Sequence, residues 1–166
     1  MSNRFHLAIP AGDLDIAIEF YCGILGCEKG NSESKPWPGA PGCWVDINFW
    51  GNELTLHATN PSEKQTGKQH DVDMDNVSVP HFGIHLDAEA FKNIKEKLIK
   101  NNVKFVNKPY IRFKNDILEQ ETMFIADPHG NVLEIKTMKN PNALFAPSNY
   151  NIYNTLPSDV EPEESK

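Results

Sequence analysis

Apolar positions along the chain change period several times, and the changes mark the elements. "RFHLAIP" at 4–10 has Phe5, Leu7 and Ile9 opposing Arg4, His6 and Ala8, which predicts a strand. "AGDLDIAIEFYCGILGC" then shifts to helical spacing: Ile16, Ala17, Phe20, Tyr21 and Ile24 form one stripe, Asp13 suits an N-cap and Gly26 a stop. Residues 30–43 are rich in proline and glycine and predict a loop. "WVDINFW" at 44–50 alternates, "GN" at 51–52 predicts a hairpin turn, and "ELTLHA" returns. Residues 59–76 read as a polar loop closing a first half.

The second half repeats the order. "VPHFGIHLD" at 79–87 predicts a strand, and "AEAFKNIKEKLIKNN" a helix with Phe91, Ile94 and Leu98 on its inner side. "VKFVNKPYIRF" is extended, and "QETMFIADPHGNVLEIKTM" predicts a hairpin about "DPHGN". Each half therefore reads strand–helix–strands. Laying "FHLAI" at 5–9 over "PHFGI" at 80–84 matches His6 with His81 and Pro10 with His85. His81 and His85 share a strand face but would lie about 13 Å apart at a strand's rise, too far for one ion. The repeated histidine, His81, is the candidate ligand, and His85 is structural or at the surface.

Composition narrows the setting. Sixteen Lys+Arg against 23 Asp+Glu give a formal charge of −7, which argues against nucleic acid and anionic membranes as partners. The sequence has no run long enough to span a bilayer, and its start does not resemble a signal peptide. Cys22, Cys27 and Cys43 form no C-x-x-C pair, so ordinary thiols in a cytoplasmic protein are expected. After Met138 the periodicity fades. Phe145, Tyr150, Ile152 and Tyr153 suit an arm that packs on the domain or on a second subunit, followed by a disordered acidic end. The expected division is 4–58, a linker at 59–76, 77–139, and a C-terminal arm at 140–166.

Four segments together resemble the vicinal oxygen chelate superfamily of glyoxalases, bleomycin- and fosfomycin-resistance proteins and extradiol dioxygenases. They are "FHLAIPAGDLDIAIEFYCGILGC", "WVDINFWGNELTLHA", "PHFGIHLD" and "ETMFIADPHGNVLEIK". The resemblance implies an α+β fold of two βαβββ modules whose mixed sheets curl around a metal cavity. Carried over by position, it implies His6, His81 and Glu134 as ligands of a divalent ion. Two histidines and a carboxylate with open positions suit Fe(II) or Mn(II), with Zn(II) or Ni(II) as alternatives. Strand parity agrees for Glu134, which with Val132 and Lys136 opposes Leu133 and Ile135.

His57 ends the strand where glyoxalase I-like members carry a glutamate ligand. It is a candidate fourth ligand or acid–base group, and Thr55 shares its parity. Tyr110 and Arg112 are candidates for orienting a substrate oxyanion. Glu121 is a possible partner of the site, and His129, in its turn, is expected at the surface. "DVDMDN" at 71–76 has the acidic spacing of a calcium loop but neither its glycine nor its closing glutamate.

The function expected is a metalloenzyme acting on a small molecule through two vicinal oxygens, dioxygenase-like, as a possible homodimer. A glyoxalase-type lyase or isomerase is the alternative within the fold. A metal-free binding protein of the resistance type, using Trp37, Trp44, Trp50 and Phe49 as an aromatic groove, is the alternative outside catalysis.

Overall fold

A computed structural model describes residues 3–33, 43–65, 68–72 and 75–145. Ten strands and two α-helices follow one another as β1 (His6–Gly12), α1 (Leu14–Ile18), β2 (Glu28–Glu33), β3 (Trp44–Phe49), β4 (Asn52–Ala58), β5 (Lys68–Val72), β6 (Asp75–Val79), β7 (Phe82–His85), α2 (Ala88–Lys100), β8 (Phe105–Arg112), β9 (Gln120–Ala126) and β10 (Val132–Met138). Two four-stranded sheets have the orders β1-β4-β3-β2 and β7-β10-β9-β8, and β5 pairs with β6 in a small separate ribbon. In each sheet the module's first strand runs parallel to its last, β1 with β4 and β7 with β10, and the other pairings are antiparallel. The duplicated α+β architecture with curled, open sheets is the one expected.

Local chemistry accounts for most of the boundaries. The Asp13 carboxylate accepts from the N–H groups of Asp15 and Ile16, so α1 begins where its cap was read. After Ile18 the helix widens into a π-helical stretch, Glu19–Ile24, which still buries Phe20 and Tyr21. Asp87 caps α2 by accepting from Ala90, and Phe91, Ile94 and Leu98 form its buried stripe. Gly51 sits at φ +87°, which the tight β3–β4 turn requires.

Two loop readings change. Residues 28–33 form edge strand β2, antiparallel to β3, although every one of them is exposed and carries no apolar alternation. The segment read as a polar loop at 59–76 contains β5 and the first two residues of β6. "VPHFGIHLD" is not one strand: β6 ends at Val79, and β7 starts at Phe82 after Pro80 and His81. The aromatic residues expected in the terminal arm beyond Phe145, and Trp37, lie outside the described residues.

One apolar core runs through both halves. Ile9, Leu54, Leu56 and Tyr21 from the first join Phe91, Leu98, Leu133 and Ile135 from the second. These residues lie on the helix-facing side of each sheet, since α1 packs on β1 and β4 and α2 on β10. The opposite sides hold the alternate residues, including His6, Glu53, Thr55 and His57 in one sheet and Glu134 and Lys136 in the other.

A buried polar hub joins the halves beside the core. Asp127 accepts from the Tyr21 hydroxyl at 3.0 Å, from the backbone of His129 and Asn131, and from Asn131 Nδ2 at 2.7 Å. Asn131 Nδ2 also donates to the Pro10 carbonyl at 2.8 Å. His129, expected at the surface, is only 3% exposed; its ring meets Thr59 Oγ1 at 3.3 Å, and its carbonyl accepts from Gln65 at 2.8 Å. The turn "DPHGN" is thus an internal clamp between modules. Burial first, then the Asp127 charge, drives the Tyr21 phenol well above its usual pKa, so it stays a donor. Tyr21→Phe leaves Asp127 one donor short and is expected to cost about 1–3 kcal/mol in urea unfolding, with an unchanged denaturant slope.

Candidate functional site

The candidate site rests on the parallel pairing of β7 and β10, which sets Gly83 beside Glu134 and His85 beside Lys136. The strands approach so closely at Gly83 that a Cβ there would lie 1.7 Å from the Glu134 carbonyl oxygen, so only glycine permits this register. The consequence is positional: His81, two residues before Gly83, is brought over the Glu134 carboxylate.

Glu134 is 5% exposed and flanked by Leu133 and Ile135, whose side chains enter the core. Its two oxygens have different partners. Oε1 accepts from Thr122 Oγ1 at 2.8 Å, while Oε2 lies 3.0 Å from Lys136 Nζ and 3.4 Å from His81 Nε2. Burial alone would raise its pKa. The contact with His81, the Lys136 charge and the Thr122 hydrogen bond outweigh burial and hold the carboxyl at about 2.

His81 is oriented from its other nitrogen. Nδ1 lies 2.6 Å from the Ser78 carbonyl, which can only accept, so Nδ1 carries the proton and Nε2 is turned to the carboxylate. The ring stands edge-on to Phe124, with centroids 5.2 Å apart. Its pKa is raised, first by Glu134, with burial opposing and the Ser78 carbonyl assisting.

His81 also borders two open clefts between β1 and the second sheet. One, of about 390 Å³, is walled by Phe5, Leu7, Phe49 and Phe82, with Glu53 at its rim. The other, of about 230 Å³, is walled by Leu7, Ile9, Phe82 and Val132, with Asn131 and Gln65. An apolar cleft with few polar groups converging on a histidine suits a small organic molecule.

The remaining expected residues are distributed as follows. His6 lies on β1 with its Nδ1 3.0 Å from Glu53 Oε2, in an exposed pair (56% and 51%) at the edge of the larger cleft, whose wall includes its neighbours Phe5 and Leu7. The register sets His57 beside Pro10 and Trp44, exposed at the end of β4. Overlaying the halves on their parallel pairs makes Thr55, beside Ala8, the counterpart of Glu134, and His57 the counterpart of Lys136. Thr55 Oγ1 donates to Asp46 at 2.7 Å instead of offering a carboxylate.

Tyr110 pairs with Thr122, and Arg112 with Gln120, so both lie on the Glu134 face of the second sheet; Arg112 also stacks over Phe113. Glu121 points to the opposite face and pairs with Lys95 of α2 at 2.9 Å, which removes it from the site. His85 is exposed beside Lys136, and burial followed by the Lys136 charge lowers its pKa. Three residues were missed. Lys136 and Thr122 were legible from strand parity with Glu134, but Ser78 acts through its backbone and leaves no trace in the sequence.

Among the described residues no group of three His, Cys, Asp or Glu side chains is gathered in a way that could hold a metal ion. His81 and Glu134 nevertheless fit two ligand positions. A ligating imidazole commonly donates its second N–H to a backbone carbonyl, as Nδ1 does to Ser78, and a ligating carboxylate is itself hydrogen bonded, as Oε1 is by Thr122. The third expected donor, His6, is held by Glu53 in an exposed pair, a type worth about 0–1 kcal/mol and cheaply exchanged.

Residues 4–135 match the sequence family described as the Glyoxalase/Bleomycin resistance protein/Dioxygenase superfamily. Among solved structures, a glyoxalase/bleomycin resistance protein/dioxygenase from Alicyclobacillus acidocaldarius is 30% identical, with 86% of this chain and 96% of that one covered and a TM-score of 0.64. The fosfomycin resistance protein FosX of Listeria monocytogenes shares the fold at 14% identity, covering 82% and 93% of the two chains with a TM-score of 0.57. A glyoxalase/dioxygenase from Nostoc punctiforme does so at 17% identity, covering 82% and 90%, with a TM-score of 0.57. A comparison with curated proteins gives no match. No helix among the described residues is long and apolar enough to cross a membrane.

The electrostatics make a direct prediction for the metal-free protein. The His81 imidazole should titrate above its usual 6.5 by NMR and move back toward it in Glu134→Gln. The sign follows from linkage. A raised histidine pKa stabilises the fold fully below 6.5 and loses that contribution as pH climbs through the folded value. A lowered carboxyl pKa stabilises above about 4.5 and loses its contribution as pH falls toward about 2. Wild type should therefore lose stability more steeply than Glu134→Gln between those two pH values in thermal melts.

Proposed function

The chain belongs to the glyoxalase/bleomycin resistance protein/dioxygenase superfamily, and from that premise we propose that it is a divalent-metal enzyme acting on a small substrate through two vicinal oxygens. The observation that carries this reading is the meeting of His81 Nε2 and Glu134 Oε2 at 3.4 Å, with Nδ1 committed to Ser78. A neutral imidazole and a carboxylate facing each other across that gap present lone pair to lone pair, and a cation relieves the contact. In the metal-free protein Lys136 stands on that oxygen, and the carboxylate raises the affinity of the His81 ring for a proton. In the working enzyme His81 and Glu134 would hold the metal, and His6 would complete the set on leaving Glu53.

The bound ion would polarise both substrate oxygens and, as Fe(II) or Mn(II), open dioxygen chemistry. The chain's own groups supply the rest. Thr122 keeps the Glu134 carboxylate from rotating, and Ser78 fixes the plane of the His81 ring. Leu7, Phe49 and Phe82 give an apolar body a place against which to pack and from which water is displaced. Tyr110 and Arg112 on the same sheet face would orient a substrate oxyanion. His57, on the first sheet, would act as an acid–base group for a substrate reaching that far, rather than as a ligand.

Dioxygenase-type chemistry is favoured over a glyoxalase-type lyase by the first half. There Thr55 occupies the position equivalent to Glu134, so the second carboxylate of a four-ligand set has no counterpart. The metal-free binding alternative gives no use to an imidazole held in a ligand's orientation. Three cysteines without a C-x-x-C pair support a cytoplasmic setting, and a homodimer is the assembly we propose.

Purified without a tag or chelator, wild type should carry near-stoichiometric metal, whereas His81→Ala and Glu134→Gln should carry less than about a tenth as much by elemental analysis. Loaded with Fe(II), it should consume oxygen on a catechol panel. Turnover of aldehyde–glutathione adducts instead would move the assignment to the lyase branch. Metal content that is negligible and the same in all three proteins would end the enzyme reading.

A further inference from the structure

Among the described residues nine large apolar side chains are exposed, and five of them gather at one end of the second module: Ile111, Phe113, Leu118, Leu144 and Phe145. The sheet register brings them there. Arg112 ends β8 beside Gln120 at the start of β9, and Gln120 lies beside Met138 at the end of β10. Two shallow apolar grooves meet at Met138. One, of about 260 Å³, has Leu86, Met138, Pro141 and Leu144 in its walls; the other, of about 180 Å³, has Ala88 of α2, Ile111 and Met138. Phe145 follows the wall residue Leu144 but lines neither groove, and it is 90% exposed.

The chain displays these side chains against its local preferences. Phe113 sits at φ +52°, a region that a bulky residue seldom enters, and its carbonyl accepts from the Asp116 N–H at 2.9 Å. The Arg112 guanidinium lies over the Phe113 ring, 5.0 Å from its centroid, and aromatic and arginine side chains are the types enriched where proteins join. Together the five apolar side chains expose on the order of 500 Å², the upper range for a lone monomer. A stable association buries roughly 800 Å² per partner, so the patch supplies more than half. Charges around it balance, Arg112, Lys114 and Lys139 against Asp87, Asp116 and Glu119, in a chain whose formal charge is −7. Two copies of an acidic chain can meet here without net repulsion.

We infer that this end of the second module is the face on which two copies of the chain join across a two-fold axis, the Phe145 ring of each entering the Leu86–Met138–Leu144 groove of the other. Groove and projecting ring lie side by side on one surface, so each copy carries both halves of the contact, as a two-fold interface requires. The inference rests on the homodimer proposed above and gives it a contact face; it does not rest on the metal. The two clefts at His81 share no lining residue with these grooves, so the candidate site stays open in the pair.

The test is sedimentation equilibrium of the full untagged chain in EDTA, across roughly 1–200 μM. Wild type should be dimeric at the upper end. Phe145→Asp and Leu118→Asp should each weaken association by at least roughly tenfold. Ile16→Asp and Ile99→Asp, which alter exposed apolar residues on α1 and late in α2, should leave it unchanged. Backbone amides at 111–120 and 138–145 of wild type should exchange more slowly at high concentration than at low.

Circular-dichroism melts at the lowest concentration check that the variants fold; where one does not, the exchange of wild type decides. Wild type that stays monomeric throughout overturns the inference. A dimer left intact by both Phe145→Asp and Leu118→Asp, or exchange at those two segments that ignores concentration, overturns it by placing the interface elsewhere. A monomer that Phe145→Asp destabilises also overturns it, because the patch is then covered by the same chain. Metal content is read separately in His81→Ala, so each of these failures leaves the enzyme reading to its own test.

Discussion

A carboxylate taken almost wholly out of water is the constraint on which the second module depends. Moving such a group inside costs several kcal/mol unless donors surround it. Glu134 meets this condition through three side chains from three strands or their ends: Thr122 on one oxygen, Lys136 and His81 on the other. Each must arrive from a different place in the sheet, so the pairing of β10 with both β9 and β7 has to be in register. The contact of Gly83 with the Glu134 backbone keeps β7 near enough for His81 to reach. A larger residue at position 83 would open the sheet and strand a buried charge.

The rest of the molecule keeps that arrangement beside a cleft. Each sheet has an apolar back, which meets its helix and merges into the shared core, and a front on which polar groups collect. The first and second sheets come together around Leu7 and Phe82, leaving two openings on either side of His81. The Asp127 hub stands behind this junction and ties Tyr21, Pro10 and Gln65 to the β9–β10 turn, so movement of one module against the other would break several buried hydrogen bonds together. The junction is thus rigid around the His81–Glu134 pair, whereas His6 is held only by an exposed ion pair.

The parts of this that were legible in the sequence share a property: each depends on residues a few positions apart. Caps at Asp13 and Asp87, the α2 stripe, the β3–β4 turn and the parity of Glu134 all belong to this class. The illegible elements lacked a local signal. "EKGNSE" forms β2 although all six residues face water, because an edge strand can be held by its ladder without burying a side. Residues 68–72 likewise have no apolar alternation, yet they pair with β6. His129 was read from its turn as a surface residue, and Glu121 as a possible partner of the site. Their partners, Thr59 and Lys95, lie on other elements and decided otherwise.

By itself the sequence determined that the chain folds as a duplicated α+β protein, that His6 and His81 occupy matching places in the repeat, and that Glu134 lies on the closing strand of the second half. Periodicity, capping and turn chemistry act over one or two turns of backbone, and they suffice for that. Only the tertiary structure decided who meets whom: His81 with Glu134 and Ser78, His6 with Glu53, Lys136 with the same carboxylate. Those partnerships depend on the register of strands distant in sequence and on which polar groups must be satisfied when water is excluded. Neither is a property of any short stretch of chain.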